Sequence, residues 1–490
     1  MTDNISRIQV SYHPPHIPQL LAIAAYLYFL SFTSSLCGKI INAPLIGPLV
    51  VGIICGPVVA GLLPESTQQT FIDLGYIGLL LIVFEAGLTT DVSLLARNIW
   101  LSIAAALTGI AVPIGLSMAL LEGAFKYGGK KAFAAGAALC STSLGTTLAL
   151  LTPDLKRTRV GCVLMGAALL DDVVGLVIAG IIPNIAASSA SWQIIIRPVL
   201  VSLGFAALTP SLAFCLHRFL DTLPDRFQIM IYDSRTQLFL IVTTLFGFIA
   251  GSKYAGTSEL FGAYLAGAFM AHVFSRPDPA VDTPPLFNEP SSSSYADTSN
   301  AMSTLQAHQK HLEPILVTFL GPIFFASIGA ALPVGALFTA NGSHQVVWRG
   351  IVYSVLMVLA KMVVGLCLLV WPEPGSKTPN TTQPAEAQEE DKDKVIVEPQ
   401  PLETPTTNPP LPPTHKQSAA LLGLAMVARG EIALIVAQLA RPLLTEPFDP
   451  STDTPDEEPL AVVIWAILVS TLGGAIGVGL LISSWKRRAR

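Results

Sequence analysis

The sequence predicts an all-α polytopic membrane protein of about 13 transmembrane helices, built as two inverted five-helix repeats with crossing discontinuous helices. Three observations predict it. Mean hydropathy is +0.60 and only 12% of residues are charged, against roughly 25% in an ordinary soluble domain. Apolar stretches of about 20 residues, each able to cross a hydrocarbon core ~30 Å thick, recur along nearly the whole 490-residue chain. Two of these stretches are interrupted near their middles by poor helix formers.

The candidate spans fall at about 17–37, 44–62, 71–90, 98–121, 132–152, 161–187, 193–217, 234–252, 256–276, 312–334, 347–371, 417–440 and 459–485. The polar first dozen residues lack a basic run and a small-residue cleavage site, so the stretch from Ile17 reads as a retained span. Residues 1–276 then carry spans one to nine, with the first repeat at about 44–187. Residues 312–371 carry spans ten and eleven, and 417–490 carry the last two and a short basic tail. The intervening 277–311 and 372–416 are rich in Pro, Ser, Thr and acidic residues and read as disordered cytoplasmic loops, either tolerated insertions or carriers of modification sites. An odd number of crossings puts the termini on opposite sides, and the closing Lys486, Arg487, Arg488 and Arg490 assign the C-terminus to the cytoplasm and the N-terminus outside. Most of the 28 Lys and Arg agree, while the acidic 449–458 loop and the sequon Asn341-Gly342-Ser343 fall outside. Composition does not choose between a plasma membrane and an endomembrane.

Nothing suggests a soluble catalyst: no Walker A, GxGxxG or zinc-ligand spacing is present, so neither an enzyme activity nor a bound cofactor is expected. A net charge of −5 gives no sign of nucleic-acid binding. The six cysteines lie in or at the ends of apolar segments and read as small buried hydrophobes.

Because most spans carry no charge, the exceptions are informative: Asp171 and Asp172, Lys361, and Arg429 with Glu431, each near the middle of its span. A central charge costs ~2.5–3.5 kcal/mol even on the lenient insertion scale, so these groups must pair or face a water-filled cavity. Three acids against two bases leave one carboxylate over, which can hold a proton or a small cation. Adjacent acids point about 100° apart on a helix, so one can anchor while the other works. Lys361 reads as either a permanent counter-ion or a titrating group. The structural alternative, salt bridges that only lock the bundle, is weakened by the number of charges and their spread over three spans.

The span GAALCSTSLGTTLALL carries Cys140, Ser141, Thr142, Ser143, Gly145, Thr146 and Thr147 at its centre, which predicts local unwinding. Freed carbonyls and hydroxyls there can coordinate a dehydrated monovalent cation; the bland alternative is a small-residue packing face. Gly430 marks a similar weak point in the twelfth span. Spans two to six and nine to thirteen form two sets of five, offset by seven crossings, so they enter the membrane from opposite sides, and the broken candidates are the fourth member of each. Glu85, near the cytoplasmic end of its span, reads as a bonded or snorkelling acid more readily than as the lining of a funnel, and Glu259 as an interface residue.

These residues resemble the monovalent cation:proton antiporters, specifically the second cation:proton antiporter family of sodium or potassium/proton exchangers. The likeness runs through nearly all the spans and rests most on ALLDDVVGLVI and LGLAMVARGEIALIVA, supported by PLIGPLVVGIICGP, LGYIGLLLIVFEAGL, GAALCSTSLGTT, PIFFASIGAALP and LAKMVVG. The resemblance implies that Asp172 is the ion-carrying carboxylate, holding a monovalent cation with Thr142, and that Asp171 pairs with Lys361. It places Thr142 and Ser143 in the unwound part of one crossing helix, and Arg429 and Glu431 as the charged pair of the other. It implies transport of Na+, Li+ or K+ against H+, a homodimer, elevator movement of a core bundle against a dimerisation bundle, and, for the two-acid form, electrogenic exchange. The long loops and the lack of a large C-terminal regulatory domain depart from some members. A potassium/proton exchanger of endomembranes, a non-transporting cation or pH sensor and, less well, a cation channel are the other readings; adjacent acids on one helix cannot converge as an aspartyl protease dyad.

Overall fold

A computed structural model describes residues 17–41, 44, 46–57, 59–89, 98–142, 158–187, 192–274, 304–332, 334–339, 344–371, 415–447 and 456–488. Ser143, the sequon at 341–343 and most of both long loops lie outside these residues. The described chain is helical, with no strand among the described residues. In order, the helices are α1 (Ile17–Ile41), α2 (Ile46–Cys55), α3 (Glu65–Leu88), α4 (Ile99–Ser117, running on as a π-turn over Met118–Ala124), α5 (Gly129–Ala138), α6 (Arg159–Ala187), α7 (Trp192–Asp221) and α8 (Asp225–Ile231). Then follow α9 (Ser234–Ala255), α10 (Glu259–Val273), α11 (Thr304–His311), α12 (Gly321–Ala330), α13 (Val334–Phe338), α14 (Gln345–Met362), α15 (Val364–Val370), α16 (His415–Ala425), α17 (Glu431–Leu439), α18 (Arg441–Leu444) and α19 (Glu458–Arg488).

Nine helices among the described residues are long and apolar enough to cross a membrane, matching the predicted first, third, fourth, sixth to eighth, tenth, eleventh and thirteenth spans. The other four predicted spans are short or broken. The second is the ten-residue α2 and the ninth the 15-residue α10. The fifth leaves the helix after Ala138, and the twelfth is split into α16 and α17. One correction concerns 277–311, predicted as a disordered loop: its last eight residues form α11, because Thr304, Ala307 and His308 find buried positions that composition alone does not reveal.

The helices pack in two groups. In one, α2 crosses α12, α3 crosses α10 and α12, and α1, α7, α9 and α11 lie outside. In the other, α4 packs on α6, α14 on α19, and the broken α5 and α16–α17 pass between them. The pattern obeys the predicted repeat, since α2–α12 in one half corresponds to α10–α3 in the other, and α4–α6 to α14–α19. The α2–α12 and α3–α10 crossings are made by reciprocal glycines. A Cβ at Gly52 or Gly87 would strike the carbonyl of Ala326 or Tyr264, and one at Gly329 or Gly267 the carbonyl of Leu49 or Phe84. With little hydrophobic drive between helices in lipid, such backbone-to-backbone approach is what holds this group together.

Candidate functional site

The site forms where the two broken helices meet α6 and α14. Helix α5 stops at Ala138, Leu139 and Cys140 form a turn, and Ser141 and Thr142 continue without helical bonding, both buried. On the facing side, α16 ends at Ala425 and α17 begins after Gly430, whose backbone is extended at φ −130°, ψ −152°. The run of Ser and Thr and the Arg-Gly-Glu step are poor helix formers, so breakage falls where the local sequence resists it least.

Each break satisfies the other. Arg429 is fully buried and its Nη1 donates to the Ser141 carbonyl, 2.6 Å away, a group that unwinding has released. Thr471 of α19 donates to the Arg429 carbonyl at 3.0 Å. In the membrane interior an unbonded carbonyl is costly, so these two bonds are conditions for irregular backbone at this depth. The Nε and Nη2 of Arg429 have no hydrogen-bond partner in the structure. Glu431 opens α17, and its side chain lies outside the described residues.

The two adjacent acids of α6 are sorted into different surroundings. Asp171 is fully buried and its Oδ2 accepts from Lys361 Nζ at 2.5 Å and from the Thr142 hydroxyl at 3.0 Å. The same Thr142 hydroxyl accepts from Lys361 Nζ at 2.9 Å, closing a three-membered cluster. Asp171 Oδ1 has no hydrogen-bond partner. Asp172 is 7% exposed, and its Oδ1 accepts from Ser141 Oγ at 2.9 Å. The helical offset of the two carboxylates is what lets α6 present one to an ammonium and the other to the unwound segment.

The structure thus brings together Asp171, Asp172, Lys361, Thr142 and Arg429. Two contributors escape reasoning by residue type. Ser141 stood in the polar run with nothing to mark it as the partner of Asp172. Gly109 of α4 has no polar atom to give a signal, yet a Cβ there would lie 3.1 Å from Lys361 Nζ and 3.2 Å from Asp171 Oδ2. Its lack of a side chain is the space in which the pair sits. Glu259 accepts from the Tyr76 hydroxyl at 2.5 Å and pairs with the exposed Lys253 at 3.3 Å.

Comparison with known proteins agrees with this architecture. Residues 26–483 match the family described as sodium/hydrogen exchanger, transmembrane. The chain is 26% identical over 341 residues to the probable Na(+)/H(+) antiporter GerT of Bacillus cereus, covering 67% of this chain and 74% of that protein. It is 25% identical over 318 residues to the high-affinity Na(+)/H(+) antiporter NhaS3 of Synechocystis, covering 62% and 60%, and 24% identical over 350 residues to the Na(+)/H(+)-K(+) antiporter GerN of Bacillus cereus, covering 70% and 77%. Among solved structures, the sodium proton antiporter MjNhaP1 of Methanocaldococcus jannaschii superposes with a TM-score of 0.59 at 15% identity, over 93% of this chain and 98% of that one, a likeness of fold. With a match running almost from end to end, this multi-pass integral membrane protein belongs to the sodium/hydrogen exchanger family.

Proposed function

We propose that the chain is a secondary active antiporter exchanging Na+, or Li+ or K+, for H+, with Asp172 as the carboxylate that alternately holds cation and proton. One observation carries the reading: of two neighbouring buried acids, Asp171 is matched by Lys361 and Thr142, while Asp172 sits on the Ser141 hydroxyl where the backbone of α5 has unwound. A cation at Asp172 would find hydroxyl and carbonyl oxygens within the same break, those of Ser141 and Thr142 among them. The relatives named as Na+/H+ antiporters support the same cargo. K+ is the second cation to test, since GerN is named for it as well.

The coupling follows from the cost of bare charge in a low-dielectric interior. A carboxylate neutralised by a proton or a cation crosses that barrier more cheaply than an empty one, so the bundle that carries it moves only when loaded. The two helix groups supply the parts for such movement: the glycine-locked group as scaffold, in a homodimer, and the group with the broken helices as elevator. Exchange is electrogenic in this reading, because the Asp171–Lys361 pair adds a second proton-linked charge to Asp172. The N-terminus lies outside and the C-terminus in the cytoplasm.

The test uses purified protein in liposomes with a trapped pH dye, given Na+, Li+ and K+ in turn, with and without a clamped membrane potential. Cation-evoked proton movement that follows the clamp supports electrogenic exchange and names the ion. The reading is overturned if folded protein responds to no cation, or if Asp172→Asn retains the response.

A further inference from the structure

A second constellation lies away from the charged centre, where the last turn of α3 meets α11 and the turn Glu313–Ile315 that leads toward α12. Glu85, His308 and Glu313 each offer a ligand atom there, and these atoms all lie within 4.8 Å of one another. The decisive member is His308. Its side chain is fully buried, and neither ring nitrogen has a hydrogen-bond partner. A buried imidazole with two idle nitrogens is a standing cost in a folded protein, and its normal remedies are a bonded neighbour, a water or a metal ion.

His308 is not there by accident of a loose loop. Helix α11 is fastened to α9 at both ends: Thr304 donates to Gln237 Oε1 at 2.9 Å, and the Ser234 hydroxyl lies 2.6 Å from His311 Nε2. Between these two fastenings the His308 ring is pressed on Phe84, with centroids 5.9 Å apart. Phe84 directly precedes Glu85, so the ring's apolar face is covered while its nitrogens share the space of the two carboxylates.

We infer that Glu85, His308 and Glu313 form a binding site for a divalent transition-metal ion, with Zn2+ as the best match to one imidazole and two carboxylates and water as the fourth ligand. Imidazole with carboxylate is a borderline donor set that suits Zn2+ and Co2+ and is poor for Ca2+ or Mg2+, which ask for oxygen alone. Tetrahedral ligands at ~2.0–2.2 Å from zinc stand closer together than 4.8 Å, so binding draws the three groups inward by small side-chain rotations. Because α3, α9, α11 and α12 all belong to the glycine-locked group, the ion acts as a staple that ties the end of α3 to the α11–α12 connection. It takes no part in the exchange at Asp172.

The experiment strips the full-length purified protein with a chelator, adds Zn2+, removes the excess by gel filtration and measures metal per chain. One Zn2+ per chain is expected, with a rise in melting temperature that grows with Zn2+ concentration, and Co2+ in its place should give the intense visible absorption of a tetrahedral site. Glu313→Gln, at a half-buried position, should weaken Zn2+ binding at least about tenfold, and His308→Gln should remove both the absorption and the thermal shift. Asp172→Asn should leave all three unchanged, which separates this site from the central carboxylates. Should His308→Gln fail to fold, Glu313→Gln and the Co2+ spectrum of the unaltered chain still decide. Zinc well below one equivalent, or affinity that survives in the Glu313→Gln and His308→Gln proteins alike, overturns the site.

Discussion

Two clusters in this molecule use nearly the same side chains to different ends. At the centre stand Asp171, Asp172, Lys361 and Arg429, with Ser141 and Thr142 between them. Farther out, by the starts of α5, α14 and α19, stand Lys131, Arg349, Asp456 and Glu458, with Tyr127. In the outer cluster Lys131 donates to the Glu446 carbonyl at 2.6 Å and pairs with Asp456 at 3.4 Å, and Glu458 pairs with Arg349 and accepts from Tyr127 at 2.8 Å. Its side chains keep 8–22% of their surface, and the Arg349 guanidinium also lies over the Phe125 and Tyr127 rings. The central pair keeps none. The difference teaches that charge type does not make a transport site. What sets the centre apart is a fully buried ion pair beside Asp172 and a backbone broken on both sides of the charges, a setting in which losing or gaining one small ion changes the energy most.

The comparison is broken most directly by asking each cluster to lose one carboxylate charge. Asp172→Asn should reduce cation-evoked proton flux to that of empty liposomes while gel filtration and thermal unfolding stay close to those of the unaltered protein. Glu458→Gln should retain most of the flux and lose only stability. If the two variants are impaired equally in transport, the outer cluster is part of the pathway and the contrast between the two clusters fails.

Next in size is the Asp171–Lys361 pair. Removing one partner of a buried ion pair strands the other, at a cost of about 3–5 kcal/mol, so Asp171→Asn and Lys361→Met alone should each unfold at markedly lower temperature. The double variant should recover most of that loss, since two neutral groups of similar size need no counter-charge. A thermodynamic cycle over the four proteins, read by thermal unfolding in detergent, checks this; additive losses would mean that the pair is not coupled. Gly109→Ala sharpens the same point by volume alone. With its Cβ at 3.1 Å from Lys361 Nζ, the pair must shift by a few tenths of an ångström, and exchange should fall by about three- to tenfold with little change in unfolding. An unchanged rate would show that the pair has room to spare.

How much of this was legible in the sequence divides along physical lines. The spans, the two breaks and the central charges were legible because each violates the strong expectation of an apolar, helix-forming residue in lipid: Ser141 to Thr142 and Gly430 as weak helix formers, Asp171, Asp172, Lys361 and Arg429 as charges. The partition of the two acids followed from helical geometry, whereas the pairing of Asp171 with Lys361 came from the family resemblance and the Thr142 contact from neither, since Lys361 and Thr142 lie 190 and 29 residues from Asp171. Gly109 was silent because its role is to be absent. Helix α11 was missed because its eight residues, TLQAHQKH, are mostly polar and offer too few apolar positions to announce a buried face. Its order comes from Gln237, Ser234 and Phe84, all remote in sequence.

The smallest expected effect belongs to the outer cluster and separates the two regions by pH. Burial, then the hydrogen bond to Glu458, raise the Tyr127 phenol well above the ordinary tyrosine range. A folded-state pKa above the unfolded value means that, from about pH 10 upward, the unfolded chain has already released this proton while the folded chain retains it. The unfolded state then binds fewer protons, and stability falls as pH rises past 10. Tyr127→Phe removes that proton altogether. The variant should therefore lose about 1 kcal/mol at neutral pH, where one hydrogen bond is missing, and lose less than the unaltered protein between pH 9 and pH 11. Cation-evoked flux should be the same in both at pH 7 to 8, because the Tyr127–Glu458–Arg349 contacts tie the end of α4 to α14 and α19 without touching the carboxylates of α6. Parallel stability curves through pH 11 would mean that Tyr127 titrates like a tyrosine in water, and the outer cluster would then be wetter than its geometry implies.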